Sequence, residues 1–438
     1  MSGTILNRIY GNAVVASQLR GQRDVPFLSK EKLAELQSKR LREIVQYAAE
    51  TVPYYRSLFQ NLKIDQREIK TVEDLDRLPL LDKDTVRKDP FQFVSMGRKG
   101  KNAIQFVTSG TTGKPLQIYH DVHSLLSNIA FGEREKDAIA KTISPQRGIK
   151  ELQINYSTST LRKVTDLYQK WTFAPARQER VALSVLDPVQ KVVDTIRTFR
   201  PNIIVGYGSY LETLFKTLQI RGVDIPPPAV IIYVSEAMSE DGKRFIEEKF
   251  GVPVLTRYNA MEAFKIGYFC EKREGFHIHQ DLCHVKIAKG ESNTGEIVIS
   301  NLVNRGTVLL NYRIGDVAAM TNRQCSCGRT FPLLTELEGR VEDIIHLSNG
   351  EFIHPRAIWN VFKGRNGILQ YQLVQHEPQR FELKVVLTEN NKQLVEEVVA
   401  ELKGLLGKTT IIETTLSSEL ERSEGGKFRP VVSLGSKK

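Results

Sequence analysis

The segment Thr108-Ser109-Gly110-Thr111-Thr112-Gly113-Lys114-Pro115 follows the apolar run Ile104–Val107 and gathers small and hydroxyl residues around one lysine. Such a loop exposes backbone N–H groups and hydroxyls that can wrap phosphate oxygens, with Lys114 as a positive point charge. It is not a Walker A loop, which needs four residues between its glycines and Ser or Thr after the lysine. Here two residues separate Gly110 from Gly113, and Pro115 follows Lys114. Taken alone, the segment has a flexible polar turn as its alternative reading. A second constellation, Cys270 and His277 with Cys325 and Cys327, offers three thiols and an imidazole, a set suited to tetrahedral zinc. His279 competes with His277, because alternate residues of a strand face one side. Buried inert cysteines are the alternative, and Cys283 is read as a core residue. Near the end, Lys427 sits in the Gly-flanked stretch Glu424-Gly-Gly-Lys-Phe-Arg429, where by itself it would be a solvated lysine.

These groups need elements to hold them. Ser29, followed by Leu33, Leu41, Ile44, Val45 and Ala48 at helical spacing, predicts one surface-packed helix over residues 29–60. Beyond it, the β-branched runs Ile203–Val205 and Val230–Val234 alternate with amphipathic stretches at 211–220 and 240–250, the pattern of a parallel sheet covered by helices. The texture then changes: 285–287, 295–300 and 307–312, separated by Gly and Asn, predict antiparallel strands. After Gly339-Arg340 the spacing predicts a strand at 343–347, a helix at 355–362, paired strands at 368–376 and 380–388, and a helix at 392–406. The expected fold class is α/β: a large N-terminal domain (1–338) of parallel-rich sheets with helices plus a β subdomain, and a small mobile α+β C-terminal lid domain (339–438).

A chain of 438 residues with 41% apolar and 26% charged residues matches an ordinary globular protein of two or three domains. No apolar stretch approaches the ~20 residues of a membrane span. The first thirty residues lack a signal core, and their Arg8, Arg20 and Arg23 leave a transit peptide as the alternative to no targeting segment. The net charge of +11 favours polyanionic ligands, yet no dense basic block of the nucleic-acid type appears. Four cysteines do not make a disulfide scaffold, so a reducing, cytoplasmic setting is expected.

The 108–115 loop resembles the phosphate loop of the adenylate-forming enzymes, the superfamily of acyl-CoA synthetases, luciferases and peptide-synthetase adenylation domains. Four further segments follow in the family's order. Tyr258-Asn-Ala-Met-Glu262 is similar to the segment whose aromatic ring stacks on adenine and whose Glu binds the magnesium of ATP. Tyr312-Arg-Ile-Gly-Asp316 is similar to the segment whose Asp holds the ribose hydroxyls, Gly339-Arg340-Val-Glu-Asp343 to the hinge, and Glu424–Arg429 to the tail carrying the catalytic lysine. Val234-Ser235-Glu236-Ala237 resembles the loop that packs on adenine, with a core-packing turn as its alternative. Val52-Pro-Tyr-Tyr-Arg56, Leu78-Pro-Leu-Leu-Asp-Lys83 and Cys325-Ser-Cys327-Gly-Arg329 resemble the phenylacetate-CoA ligase branch and its capsule-biosynthesis relatives, some of which carry a structural metal. Two residues depart from the pattern: Asn259 stands where Gly is usual, and Met261 where a Thr or Ser lies near the α-phosphate.

The resemblance implies ATP-dependent conversion of a carboxylic acid, on the branch's analogy an aryl or arylacetic one, to an acyl-adenylate, followed by transfer to coenzyme A. It implies Lys427, Lys114 and Mg2+-binding Glu262 as catalytic groups. Thr108, Ser109, Gly110, Thr111, Thr112, Gly113, Ser235, Glu236, Ala237, Tyr258, Asp316 and Arg340 would bind nucleotide, and Gly350 would admit the pantetheine arm. A structural Zn2+ would sit on Cys270, His277, Cys325 and Cys327. The rivals are an amine or carrier-protein thiol as acceptor, and a nucleotide-binding scaffold without turnover. Expected partners are the acid, ATP or AMP, and coenzyme A, without nucleic acid or membrane; the oligomeric state is left between monomer and homodimer.

Overall fold

A computed structural model describes residues 4–97, 102–107, 115–143, 148–157, 159–173, 178–288, 294–321, 323–335, 337–365, 367–389, 391–422 and 428–433. Ser29 caps the helix Lys30–Thr51 by accepting from Lys32 N–H. The single helix predicted to residue 60 breaks at Val52, and a second helix covers Pro53–Leu62. Pro53 supplies no N–H to continue the first ladder but is well placed to open a new one. Leu33, Leu41, Ile44, Val45 and Ala48 are all buried, as their spacing requires.

Strands β1 (Ile104–Val107) and β2 (Gln117–His120) form an antiparallel hairpin. Strands β3 (Ile149–Ile154), β4 (Gln178–Leu183), β5 (Ile203–Tyr207), β6 (Val230–Val234) and β7 (Val254–Tyr258) lie parallel in the order β4-β3-β5-β6-β7. Every residue of β5 and β6 is buried, which is why they read as unbroken apolar runs and not as alternations. The helices Gly208–Ile220 and Glu240–Phe250 follow β5 and β6 as crossovers. The sheet then continues antiparallel through β8 (Gly267–Phe269), β9 (Phe276–Ile278), β10 (Cys283–Ile287), β11 (Thr294–Asn301), β12 (Tyr312–Thr321) and β13 (Leu333–Leu334), in the order β8-β9-β13-β12-β11-β10. The β subdomain is thus the other half of one mixed sheet. The strand predicted at 307–312 is a buried loop up to Asn311. Its apolar residues mimic a strand, but the Val308 N–H bonds to the Phe93 carbonyl in the N-terminal segment.

Strand β14 (Gly339–Arg340) pairs with β12, setting Arg340 opposite Asp316. Val341–Asp343 is a 3-10 turn that takes only the first residue of the strand predicted at 343–347; within that range β15 (Ile345–His346) forms, and it makes a hairpin with β16 (Phe352–Ile353). After the helix Pro355–Val361 come β17 (Ile368–Glu377), β18 (Arg380–Leu387), the helix Lys392–Leu406, β19 (Ile411–Leu416) and β20 (Val431–Ser433), with the sheet order β19-β18-β17-β20. The last two strands escape sequence reading because β19 is almost wholly exposed and β20 is three residues long. This small domain has its own core, built on Ile358, Leu373, Phe381, Leu383, Val398 and Leu402. Among the described residues no helix is long and apolar enough to cross a membrane.

Candidate active site and metal centre

The carboxyl ends of parallel strands form the crevice where open α/β sheets bind ligands. Tyr258 closes β7, and its hydroxyl donates to Asp316 Oδ2 on β12 at 2.7 Å. Arg340 Nε lies 3.6 Å from Asp316 Oδ1, and Arg340 Nη1 lies 3.1 Å from Glu342 Oε1. Just past β7, Glu262 is buried; its Oε1 accepts from the Tyr312 hydroxyl at 3.3 Å, and its carbonyl from Asn301 Nδ2 at 2.9 Å. Burial first, and then the facing carboxylates, push the Tyr258 and Tyr312 phenols well above their ordinary value, so both stay protonated as donors. The structure therefore brings Tyr258, Glu262, Asp316 and Arg340 together.

The two departures from the family pattern have local explanations. With its amide turned to donate, Asn259 bonds the carbonyls of Tyr258 (3.1 Å) and Phe264 (2.8 Å), stapling a turn in which Phe264 has φ of 55°. Met261 packs against the apolar cluster of Phe106 and Leu125, and its carbonyl lies 2.6 Å from His120 Nε2 on β2. His120 is 1% exposed, faces the rings of Phe106 and Phe264, and has Asp121 as its charged neighbour. Burial outweighs the Met261 carbonyl and lowers its pKa from 6.5 to about 4. A folded pKa below the unfolded one gives stability that is complete above pH 6.5 and is lost as the pH falls toward 4. The shift corresponds to about 3 kcal/mol. His120→Gln, which keeps a donor but cannot titrate, is expected to flatten the fall of Tm between those pH values; an unchanged slope would remove His120 from the acid response.

The phosphate-loop residues Thr108, Ser109, Gly110, Thr111, Thr112, Gly113 and Lys114 lie outside the described residues, as does Lys427. The flanks of both segments are described. Val107 pairs with Gln117, so the β1–β2 hairpin holds both ends of the loop. At the end of β6, Ser235 has φ of 68° and leads into Glu236 and Ala237. The Glu236 side chain accepts from Arg422 Nη1 (3.1 and 3.2 Å), the Phe428 N–H (2.9 Å) and the Ser209 hydroxyl. Arg422 and Ser209 were not anticipated. A charged residue beside the tail motif was a usable signal for Arg422; Ser209 carried none. Gly350 lies in the exposed turn between β15 and β16, with φ of 87°, outside the Tyr258–Asp316 cluster.

Cys270 and His277 come from the β8–β9 hairpin, and Cys325 and Cys327 from the connection between β12 and β13. Their ligand atoms all lie within 4.8 Å of one another. Cys270 Sγ is 3.6 Å from Cys325 Sγ, and Cys327 Sγ is 3.4 Å from His277 Nε2. Ligands at ~2.0–2.3 Å from a tetrahedral zinc would stand at such separations. His277 is fully buried, and its Nδ1 has no hydrogen-bond partner among the described residues. Burial would raise the Cys327 thiol, but hydrogen bonds from His277 and the Arg329 N–H bring it down to about 6. His279 lies beyond the end of β9, where strand alternation no longer applies. It faces Glu135 (3.5 Å) and Arg134 (3.4 Å) instead. Cys283 is buried in the main core, as expected.

Residues 345–434 match the family described as CapK C-terminal domain. The chain is 26% identical over 456 residues to a phenylacetate-coenzyme A ligase of Thermus thermophilus, covering 94% of this chain and 99% of that protein. Protein CapK of Staphylococcus aureus is 21% identical over 420 residues, covering 91% and 88%. Among solved structures, 2-hydroxyisobutyryl-CoA ligase in its postadenylation state with 2-HIB-AMP superposes with a TM-score of 0.73 at 19% identity, covering 94% of this chain and 91% of that one. The same ligase with 2-HIB-AMP and CoA in the thioesterification state gives 0.60 at 20% identity, with the same coverage. Along nearly its whole length, then, this chain is similar both to phenylacetate-CoA ligases and to CapK, and its small domain matches the CapK C-terminal family.

Proposed function

We propose that the protein activates a carboxylic acid with ATP and passes the acyl group to the thiol of coenzyme A. The observation that carries this reading is the convergence of Tyr258, Glu262, Asp316 and Arg340 at the strand ends, with the segments flanking Lys427 docked on the neighbouring β6 loop. A carboxylate oxygen attacks the α-phosphorus, the bond to the β-phosphate breaks, and pyrophosphate leaves; the thiol then attacks the acyl carbon and AMP leaves. The first step brings anions together, so positive charge must stand where negative charge develops. Lys427 supplies it at the α-phosphate and Lys114 at the departing pyrophosphate. Asp316, oriented by Tyr258 and Arg340, accepts from the ribose hydroxyls, while Ser235 and Ala237 border the adenine. The buried carboxylate of Glu262 suits a hard cation and would hold Mg2+, which would supply positive charge against the phosphates. Cys270, His277, Cys325 and Cys327 would hold a structural Zn2+ that takes no part in the reaction. All four cysteines are free, which suits a reducing, cytoplasmic setting.

Pyrophosphate exchange into ATP across a panel of aryl, arylacetic and hydroxy acids tests this reading. Exchange with none of them would favour the scaffold rival. A second reading keeps the first half-reaction but uses an amine or a carrier-protein thiol as acceptor. The match of the small domain to the CapK C-terminal family favours testing it, with product analysis as the arbiter.

The domain boundary is taken at 338/339, with the 3-10 turn Val341–Asp343 as hinge. Lys427 at the α-phosphate and a thiol at the acyl carbon compete for one approach, so the small domain must turn between steps. Glu342→Pro is expected to spare exchange and depress thioester formation at least tenfold. Gly350→Leu should do the same, since its turn would border the pantetheine arm after rotation and now has open space around it. Retained exchange controls for the strain of a side chain at φ of 87°. Thioester formation at the wild-type rate in both variants would remove the hinge and this entry route together.

A further inference from the structure

Resemblance assigns Glu236 to the adenine-packing loop, but among the described residues its carboxylate is engaged by protein groups. Both oxygens accept from Arg422 Nη1, Oε1 also accepts from the Phe428 N–H, and Oε2 accepts from the Ser209 hydroxyl, which Arg422 Nη2 reaches at 3.1 Å. The Glu236 side chain is 4% exposed and that of Arg422 12%. The guanidinium stands 5.8 Å from the Tyr210 ring and 5.9 Å from that of Phe428. Ser209, Tyr210 and Glu236 belong to the large domain; Arg422 and Phe428 belong to the small one. Among the described residues, the charged pairs Arg340–Asp316 (3.6 Å) and Arg356–Glu338 (3.3 Å) also join the domains, but at the hinge itself; away from it, Gln370 Nε2 donates to Thr213 Oγ1 at 3.0 Å, a neutral pair, and the Gly364 N–H to Asp241 at an exposed site. Separating a buried, hydrogen-bonded ion pair leaves two charges to be rehydrated, so such a pair discriminates sharply between orientations of the domains that carry it.

We propose that Glu236 is a positioning residue: with Arg422 it holds the small domain in the orientation used for acid activation, and it releases that domain for acyl transfer. This rests on the activity proposed above. Phe428 is covalently joined to Lys427, so the bond from its N–H to Glu236 anchors the backbone immediately beside the lysine. Any rotation that brings another part of the small domain over the site must first break the pair.

The test separates the half-reactions. Arg422→Ala is expected to lower acid-dependent pyrophosphate exchange by about 5–150-fold, the span of a typical coupling between two states. Thioester formation from supplied acyl-adenylate should be retained or faster. The charge-exchanged double variant Glu236→Arg/Arg422→Glu should recover part of the exchange lost in Arg422→Ala. Independently of activity, a disulfide formed between Thr213→Cys and Gln370→Cys reports the docked orientation, and its rate of formation should fall when Arg422→Ala is added. Wild-type exchange in Arg422→Ala, equal loss of both half-reactions, or undiminished disulfide trapping each overturns the proposal. If the wild-type protein exchanges with no acid, the activity reading fails, and the trapping experiment still decides whether the pair selects the orientation.

Discussion

Lys427→Ala is expected to lower acid-dependent pyrophosphate exchange by about 10²–10³, while thioester formation from supplied acyl-adenylate stays near the wild-type rate. That magnitude is typical of removing one preorganised charge contact from a developing anion. The selectivity follows from where charge changes. Bond formation at the α-phosphorus builds negative charge that the lysine offsets, whereas acyl transfer takes place at a carbon after pyrophosphate has gone. The docking of Phe428 and Arg422 on Glu236 fixes both flanks of the tail beside the β6 loop, and this is what motivates assigning the lysine to activation. Equal loss of both half-reactions would mean a folding defect or a role in both steps; unimpaired exchange would end the assignment.

The second large effect concerns the metal. Purified protein is expected to contain about one zinc per chain, and Cys325→Ser to lose it together with stability on the order of several kcal/mol, because binding free energy at a closed structural site is folding free energy. Geometry explains why the penalty should spread. Cys270, His277, Cys325 and Cys327 join the β8–β9 hairpin to the β12–β13 connection, and next to them Arg329, fully buried, pairs with Asp137 and Glu271. Nearby, Arg134 and Asp281 form an ion pair with neither side chain exposed. Loosening the connection exposes these buried charges to incomplete pairing, which costs more than the lost contact alone. Elemental analysis and Tm before and after chelation check it. Metal-free protein from zinc-rich medium, with an unchanged Tm for Cys325→Ser, would return the four residues to an ordinary core role.

The amino-acid sequence by itself determined the helix Lys30–Thr51, though not its end before Pro53, the strands β5 and β6, the adjacent strands at 368–377 and 380–387 and the helix Lys392–Leu406. In each, apolar periodicity and local caps act within one element and need no distant partner. Three of the five family segments, Tyr258–Glu262, Tyr312–Asp316 and Gly339–Asp343, fall among the described residues, and they and the Cys3His set could be read as candidates because chemistry fixes residue type and spacing. Other features belong to the tertiary structure alone. Thr307–Leu310 carries a strand-like pattern but gives its backbone bonds to the N-terminal segment. His279, two residues from His277, leaves the metal set only because β9 ends between them and Glu135 and Arg134 stand opposite. Tyr258 is near Asp316, and Arg340 opposite it, only through the folding of one mixed sheet. Glu236 meets Arg422 across 186 residues of chain. A local pattern is blind to such pairs, because their partners are chosen by sheet order and domain docking, where the energy of a contact depends on burial that only the folded chain creates.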